Sequence, residues 1–150
     1  MRFKGKKPIF SYTDTFSLDM VLEPIIATGL KKFKEVCQSK EFVGCPNDFL
    51  KPYKPQGNRE ITDEDHNKAV QDWYKCLDKM IYTFDATEPE IPDNVLELIE
   101  SKRKDGLVEC DIVILEKGLY KQHHEDLVEH YKTKQEGLVL FAKYFTSLWW

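Results

Sequence analysis

The chain has 150 residues, of which 41% are hydrophobic and 32% are charged, and its formal net charge is −4. These values exclude an intrinsically disordered chain and predict one soluble domain over residues 1–150. Its apolar runs are far shorter than a membrane span, and the N-terminus lacks a signal peptide's apolar stretch. We therefore expect a cytoplasmic protein that has no membrane partner. Its four scattered cysteines are expected to be reduced.

The charges are unevenly distributed along the chain. Residues 1–59 carry eleven Lys and Arg against six Asp and Glu, whereas residues 60–150 carry eleven against twenty. This asymmetry indicates association between opposite patches of neighbouring subunits, or an anionic ligand near the N-terminal half. The simpler alternative is that these charges only keep the exposed faces of helices in contact with water.

Residues 1–13 form a basic segment in which cations alternate with apolar side chains. The pattern predicts an edge strand or an extended arm, and Pro8 suits an edge because it cannot donate to a ladder. Arg2, Lys4 and Lys7 are interleaved with aromatic residues, a combination that suits phosphates and stacked rings. Because the whole chain is acidic, we expect a small phosphorylated ligand or a protein surface rather than nucleic acid.

Two helices with a loop between them are predicted next. Residues 17–38 have apolar side chains at the helical period, and Pro24 is expected to kink this helix. Residues 43–61 contain three prolines and two glycines, which predicts a loop. Residues 62–84 open with a capping-box pattern, and their apolar stripe, which includes Trp73, predicts a core helix.

Two polar groups on these helices are candidates for binding. Asp14 and Asp19, with Glu23, could hold Mg²⁺ for phosphoryl chemistry, whereas the simpler function of acids in a first turn is to interact with the helix dipole. Tyr74 and Asp78 lie four residues apart beside the core stripe. They could hydrogen-bond a ligand, or they could form the half-buried margin of the core.

The second half of the chain is predicted to contain a helix, a strand and a helix. Residues 93–104 are bounded by Pro92 and Gly106 and predict a short helix. Residues 107–115 are rich in β-branched side chains and predict a strand, which could pair with the N-terminal arm. Residues 123–150 predict a long final helix that begins polar and ends apolar.

The two ends of this final helix carry different candidate sites. His123, Asp126 and His130 share a face that could hold a divalent metal, although an exposed polar helix start is the alternative. Residues 137–150 are apolar on nearly every face, which predicts burial in the core or against another chain. Lys143 is the one charge in that segment, and with Tyr144 beside it this pair could contact a phosphate and a base.

Three segments resemble blocks of a family of small tailed-bacteriophage proteins. They are D-T-F-S-L-D-M-V-L-E-P-I-I-A-T-G-L-K-K-F at 14–33, D-W-Y-K-C-L-D-K-M-I-Y-T-F at 72–84 and E-G-L-V-L-F-A-K-Y-F-T-S-L-W at 136–149. By this resemblance the family pattern includes Asp14, Ser17, Asp19, Trp73, Asp78, Lys143 and Tyr144. The resemblance implies an accessory protein in the host cytoplasm that inhibits a host enzyme or sequesters a nucleotide signal of host defence.

The predicted fold is mainly α, with about four helices, a small two-stranded element and a central C-terminal helix. No Ser-His-Asp order, P-loop or dinucleotide-binding glycine motif occurs, so we expect capture of a small anionic, nucleotide-like ligand without catalysis or a cofactor. The alternatives are a protein-binding inhibitor of a host enzyme and a metal-dependent phosphoesterase. The apolar helix end and the uneven charge predict a homo-oligomer, most simply a symmetric dimer. The expected ligand contacts are Arg2, Lys4, Lys7, Asp14, Asp19, Trp73, Tyr74, Asp78, Lys143 and Tyr144.

Overall fold

The computed structural model describes residues 2–5, 7–9, 11–12, 17–39, 44–53, 61–102, 105 and 108–148. These residues form a mainly α structure with two small antiparallel hairpins, which confirms the predicted fold class. In chain order the elements are β1 (Arg2–Lys4), β2 (Lys7–Ile9), α1 (Leu18–Ser39), α2 (Asn47–Leu50), a 3₁₀ turn (Lys51–Tyr53), α3 (Asp63–Asp85), β3 (Leu96–Lys102), β4 (Val108–Ile114), α4 (Lys117–Tyr144) and a 3₁₀ turn (Phe145–Ser147).

The chain divides into two compact units. Met1–Ala86 together with Thr133–Trp150 make the first, which we call the helical unit. Thr87–Lys132 make the second, which we call the hairpin unit. None of the helices in the described ranges is sufficiently long and apolar to cross a membrane.

The N-terminal arm is a short hairpin rather than a single edge strand. β1 and β2 are antiparallel, with Phe3 opposite Pro8, and Gly5 turns the chain with a φ of 64°. A left-handed φ is unstrained for glycine because glycine has no Cβ. The expected pairing of this arm with residues 107–115 is wrong, because β1 pairs with β2 and β4 pairs with β3.

α3 supplies most of the core of the helical unit. Thr62 caps its first turn, with the Asp65 backbone N–H donating to Oγ1 at 3.2 Å, which confirms the N-cap of the predicted capping box. The Thr62 hydroxyl donates in turn to Asp65 Oδ2 at 2.8 Å. Trp73, Leu77 and Met80 are at most 1% exposed, as the apolar stripe predicted. The buried residues of this helix are Ala69, Val70, Trp73, Tyr74, Cys76, Leu77, Met80 and Thr83.

The C-terminal half of α4 packs closely against α3. A Cβ at Gly137 would lie 1.9 Å from Thr83 Oγ1 and 2.4 Å from the Lys79 carbonyl oxygen, so only glycine permits this approach. Thr83 Oγ1 donates toward the Lys134 carbonyl oxygen across the same contact at 3.0 Å. The rings of Phe84 and Phe141 meet edge to face at 4.9 Å.

Two expectations for the final helix need correction. The helix begins at Lys117, six residues before the predicted start, and its α-helical part ends at Tyr144. The apolar end is also buried on one side only, because Val139 is 59% exposed and Phe145 is 61% exposed. The contacts with α3, α2 and α1 therefore leave part of this apolar segment open to solvent.

The prediction of a helix over residues 93–104 is wrong. Leu96–Lys102 form β3, which pairs with β4 along seven residues of each strand. Leu96 and Leu98 alternate with Glu97, which is a strand period, and pairing with the β-branched residues of β4 overrides the helix-forming Leu and Glu. The strand predicted over 107–115 is confirmed at Val108–Ile114.

The predicted loop over residues 43–61 is partly helical. Asn47–Leu50 form a single α-helical turn, which continues into the 3₁₀ turn Lys51–Tyr53. Pro46 precedes this turn with an extended backbone, and its carbonyl oxygen accepts from the Phe49 N–H at 2.9 Å. The short helix brings Phe49 to the aromatic core of the helical unit.

Candidate functional site

The aromatic residues expected to stack on a ligand instead pack on one another. Trp73 of α3 and Tyr144 of α4 lie with their ring centroids 5.5 Å apart, and Phe49 of α2 is 5.4 and 5.3 Å from these two rings. Trp73 is 1% exposed and Tyr144 is 6% exposed. Both rings are almost completely buried, so they are packing residues of the core in this structure.

Lys143 lies at the edge of this aromatic cluster. Its Nζ is 3.3 Å from Asp48 Oδ2 and 4.6 Å from the centroid of the Tyr144 ring. Hydrogen bonding with Tyr144 and then with Asp48 raises the pKa of Lys143, and Lys51 and Lys143 together lower the pKa of Asp48. The ammonium group is half exposed but already has a carboxylate partner.

Tyr74 and Asp78, one turn apart on α3, have different surroundings. Tyr74 is 8% exposed, and burial raises its phenol pKa. Asp78 is exposed and accepts from Lys34 Nζ of α1 at 2.5 Å. These two residues therefore contribute to the margin of the core, and Asp78 links α1 to α3.

The remaining predicted ligand contacts lie near the beginning of the chain. Lys7 is exposed on β2, and Asp19 is exposed in the first turn of α1. Arg2 and Lys4 lie on β1, but their side chains fall outside the described part of the structure, as does all of Asp14. The binding functions assigned to these residues stay predictions.

The histidine face on α4 has no grouping typical of a metal site. Asp126 accepts from Gln122 Nε2 at 2.9 Å, and His130 is 3% exposed in the hairpin unit. Across the described ranges, no three His, Cys, Asp or Glu side chains come together as metal ligands would. The weak metal candidates His123, Asp126 and His130 therefore gain no support from the geometry.

A groove that the sequence did not reveal lies between α1 and the end of α4. It encloses about 520 Å³, and Phe33, Phe141 and Phe145 contribute aromatic rings to it. Lys32 supplies a cation at the groove, where its Nζ pairs with Glu35 Oε1 at 2.7 Å. The full lining is Ile26, Gly29, Leu30, Lys32, Phe33, Val36, Phe141, Phe145 and Leu148. Its only sequence signal is that the apolar stripe of α1 is wider than a single neighbouring helix can cover.

A smaller cavity of about 290 Å³ lies near the C-terminal end of α1. Cys37 and Cys45 both line it, together with Trp73 and the hydroxyl residues Thr146 and Ser147. Burial raises the pKa of the Cys45 thiol, which disfavours a reactive thiolate. We therefore interpret these cysteines as packing groups.

Comparisons of the chain with protein-family models, curated proteins and solved structures found no match. The resemblance to small phage proteins consequently stays a prediction. The candidate site is defined by geometry alone, and the groove between α1 and α4 is the described cavity whose lining best fits a ligand.

Proposed function

We propose that the protein is a non-catalytic binding protein that captures a small anionic ligand with a flat aromatic body in the groove between α1 and α4. The observation that supports this proposal is the combination of three phenylalanine rings with one lysine around about 520 Å³. Ligand sites in proteins have volumes of this order, and their linings are mainly apolar with a few polar groups that fix orientation.

The aromatic lining explains why the ligand would have a flat body. Phe145 is 61% exposed, and its ring lies 5.4 Å from that of Phe141. A bound aromatic group would cover this exposed ring and remove apolar surface from water. Stacking of a base on an aromatic side chain contributes roughly 1–3 kcal/mol.

The charge at the groove explains why the ligand would be an anion. The Lys32 side chain is 66% exposed, so its ammonium can reach a ligand by exchanging its contact with Glu35. Because that carboxylate would compete with the ligand, we expect Glu35→Gln to strengthen binding and Lys32→Ala to weaken it. Exposed ion pairs contribute about 0.2–1 kcal/mol, so each change in affinity should be a few-fold.

Thermal melting in the presence of defined probes tests this function. Cyclic dinucleotides, ADP-ribose and an anionic naphthalene sulfonate would be added separately, and the bound fraction would be recovered by heating and analysed by chromatography. A raised melting temperature with intact ligand supports capture. Chemically altered ligand contradicts the non-catalytic part of the proposal, and the absence of a shift with every probe overturns the proposal.

Matched variants test whether the ligand binds in the groove. Phe145→Ala should weaken binding about tenfold or more, because it removes an exposed stacking surface. Val139→Ala is its control, because Val139 is similarly exposed on α4 but does not line the groove. Lys31→Ala is the control for Lys32→Ala, because Lys31 pairs with Asp85. Unchanged affinity in Phe145→Ala would exclude the groove as the site.

The biological setting extends this proposal. If the resemblance to small phage proteins holds, the captured anion would be a nucleotide signal of host defence, and capture would take place in the host cytoplasm. The absence of catalytic sequence motifs supports capture rather than turnover. The host-enzyme inhibitor and the phosphoesterase stay alternative predictions.

A further inference from the structure

Gly29 is the one glycine of α1, and the helix has no evident need for a glycine at this position. The residues of α1, Leu18–Ser39, include no second glycine. Gly29 is not among the described residues with a left-handed φ, where glycine alone is unstrained. A Cβ built on Gly29 would meet no described atom within 4 Å. Neither the backbone conformation nor the contacts among the described residues therefore account for this glycine.

This glycine makes α1 less stable than an alanine would. A glycine inside a helix loses more backbone freedom on folding than any other residue, and it adds no side chain that could pack. Gly137 of α4 is the opposite case, because a Cβ there would lie 1.9 Å from Thr83 Oγ1. The glycine at 137 permits a close contact between helices, whereas the space above Gly29 is open.

The open space at Gly29 belongs to the groove between α1 and α4. Gly29 lines this groove together with Lys32 and Phe33. Gly29 precedes Lys32 by three residues and Phe33 by four, and residues at these separations are neighbours on one helix face. Side chains on a helix lean toward its N-terminus, so the lysine and the phenylalanine extend toward the turn that contains Gly29. The surface of α1 therefore has a depression between the cation and the ring, which we call the Gly29 notch.

We propose that Gly29 determines the width of the aromatic body that the groove accepts, because this body lies across the Gly29 notch. An anion whose charged group pairs with Lys32 and whose rings contact Phe33 lies over the backbone between these two residues. One ring uses part of that space, whereas two fused rings also need the volume that a side chain at position 29 would fill. The ligand class is therefore an anion that carries fused rings. This inference rests on the proposed function and names a residue that selects the ligand.

The size of one side chain is sufficient to change this selectivity measurably. A second fused ring favours binding to the wild type because it removes further apolar surface from water. In an enclosed apolar pocket, one methylene group changes discrimination between ligands by roughly 10–200-fold. The groove is open on one side, so we expect effects at the lower end of this range for a side chain at position 29.

Two sulfonates that differ by one fused ring provide the main test. Naphthalene-2-sulfonate and benzenesulfonate carry the same anionic group, and isothermal titration calorimetry measures the affinity of each. Wild type should bind the naphthalene sulfonate about tenfold more tightly than benzenesulfonate. Gly29→Ala should reduce this preference about threefold, and Gly29→Leu should abolish it. Gly29→Leu should still bind benzenesulfonate as tightly as wild type does, because leucine would fill space that a single ring does not use.

A control variant and a stability measurement separate ligand width from helix stability. Thr28→Leu is the control, because Thr28 is the exposed neighbour of Gly29 on α1 and does not line the groove. Its preference between the two sulfonates should equal that of wild type. Gly29→Ala should unfold at a higher urea concentration than wild type, because alanine is the better helix former. A variant that is more stable and yet less selective cannot have lost its selectivity through unfolding.

Failure of this inference is distinguishable from failure of the proposed function. If Phe145→Ala weakens binding of the naphthalene sulfonate while Gly29→Leu keeps the wild-type preference, capture in the groove stands and the selection by Gly29 is overturned. Equal losses of affinity for both sulfonates in Gly29→Leu also overturn it, because the effect would not depend on ligand width. A wild-type chain that binds neither sulfonate overturns the inference. It overturns the proposed function as well if the nucleotide probes leave the melting temperature unchanged.

Discussion

Gly137 shows how a single residue sets the spacing of two helices. Lys79 and Thr83 approach the backbone of α4 at this residue, and the added Cβ of any other amino acid would overlap both. Lys79 Nζ and Glu136 Oε2 form an ion pair at 2.9 Å beside this contact. The ion pair and the close approach at Gly137 therefore lie within one turn of each other on α4. The sequence offered no sign of this restriction, because an isolated glycine in a helix is equally compatible with a solvated position.

Gly137→Ala should destabilise the protein by about 1–3 kcal/mol or more, because a methyl group would be forced into a filled contact. Urea unfolding followed by circular dichroism measures the change. Gly29→Ala is the control, since its added Cβ meets nothing within 4 Å and alanine is the better helix former. We expect that variant to be more stable by about 0.5–1 kcal/mol. A Gly137→Ala variant as stable as wild type would show that the helices can move apart freely.

The buried thiol of Cys76 should make the protein less stable at alkaline pH. Burial raises the pKa of its thiol to about 11, from an ordinary value of 9.0. A raised folded-state pKa favours the thiol form, so this contribution to stability is complete below pH 9 and is lost as pH rises toward 11. In Cys76→Ala the free energy of unfolding should not fall for this reason at alkaline pH. The substitution also leaves a small void in the core, which lowers stability at every pH.

The measurement for Cys76 is the free energy of unfolding between pH 7 and pH 11. Wild type should have the larger free energy of unfolding at pH 7. Its advantage over Cys76→Ala should become smaller as pH rises, because only the wild type loses the stability that the protonated thiol contributes. Cys110→Ala is the matched control, because its thiol is exposed and outside the core. A constant difference between wild type and Cys76→Ala would contradict a buried thiol with a raised pKa.

At the scale of elements, α3 illustrates what local sequence can determine. Its capping box and its apolar stripe both lie within one continuous segment, so the sequence was sufficient to predict its start, its length and its buried face. β3 illustrates the opposite case. Its Leu and Glu residues are compatible with a helix, and only the distant strand β4 makes it extended, which is information that a local pattern does not contain.

Thr62→Ala should destabilise α3 by about 0.5–2 kcal/mol, because the Asp65 N–H would lose its acceptor at the first turn. Thr62→Ser keeps an oxygen at the same position and should restore most of the loss. Chemical denaturation of the three proteins provides the comparison. If serine fails to rescue, the effect of Thr62 comes from packing of its methyl group rather than from capping.

The candidate site depends on contacts that no single element specifies. The sequence identified Trp73, Tyr144 and Lys143 as distinctive residues, but their chemistry could not indicate that Phe49 and Asp48 of α2 would pack on or pair with them. α2 was predicted as loop because its flanking prolines dominate the local signal. For the same reason the groove formed by Phe33 and Phe145 could not be predicted before the packing of α1 and α4 was known.

At the scale of the whole molecule, the two units differ in the source of their stability. The helical unit has a continuous buried cluster centred on α3, including Trp73, Leu77 and Met80. The hairpin unit has two buried residues among those described, Val95 and His130. Amides of the hairpin should therefore be less protected from hydrogen exchange than amides of the core of α3.

Amide hydrogen exchange tests this difference. Amides of α3 should exchange slowest, because Trp73, Leu77 and Met80 belong to the buried cluster of the helical unit. Amides of β3 and β4 should exchange faster, because two side chains of the hairpin unit are buried among those described. Hairpin amides that exchange as slowly as those of α3 would contradict this difference between the units.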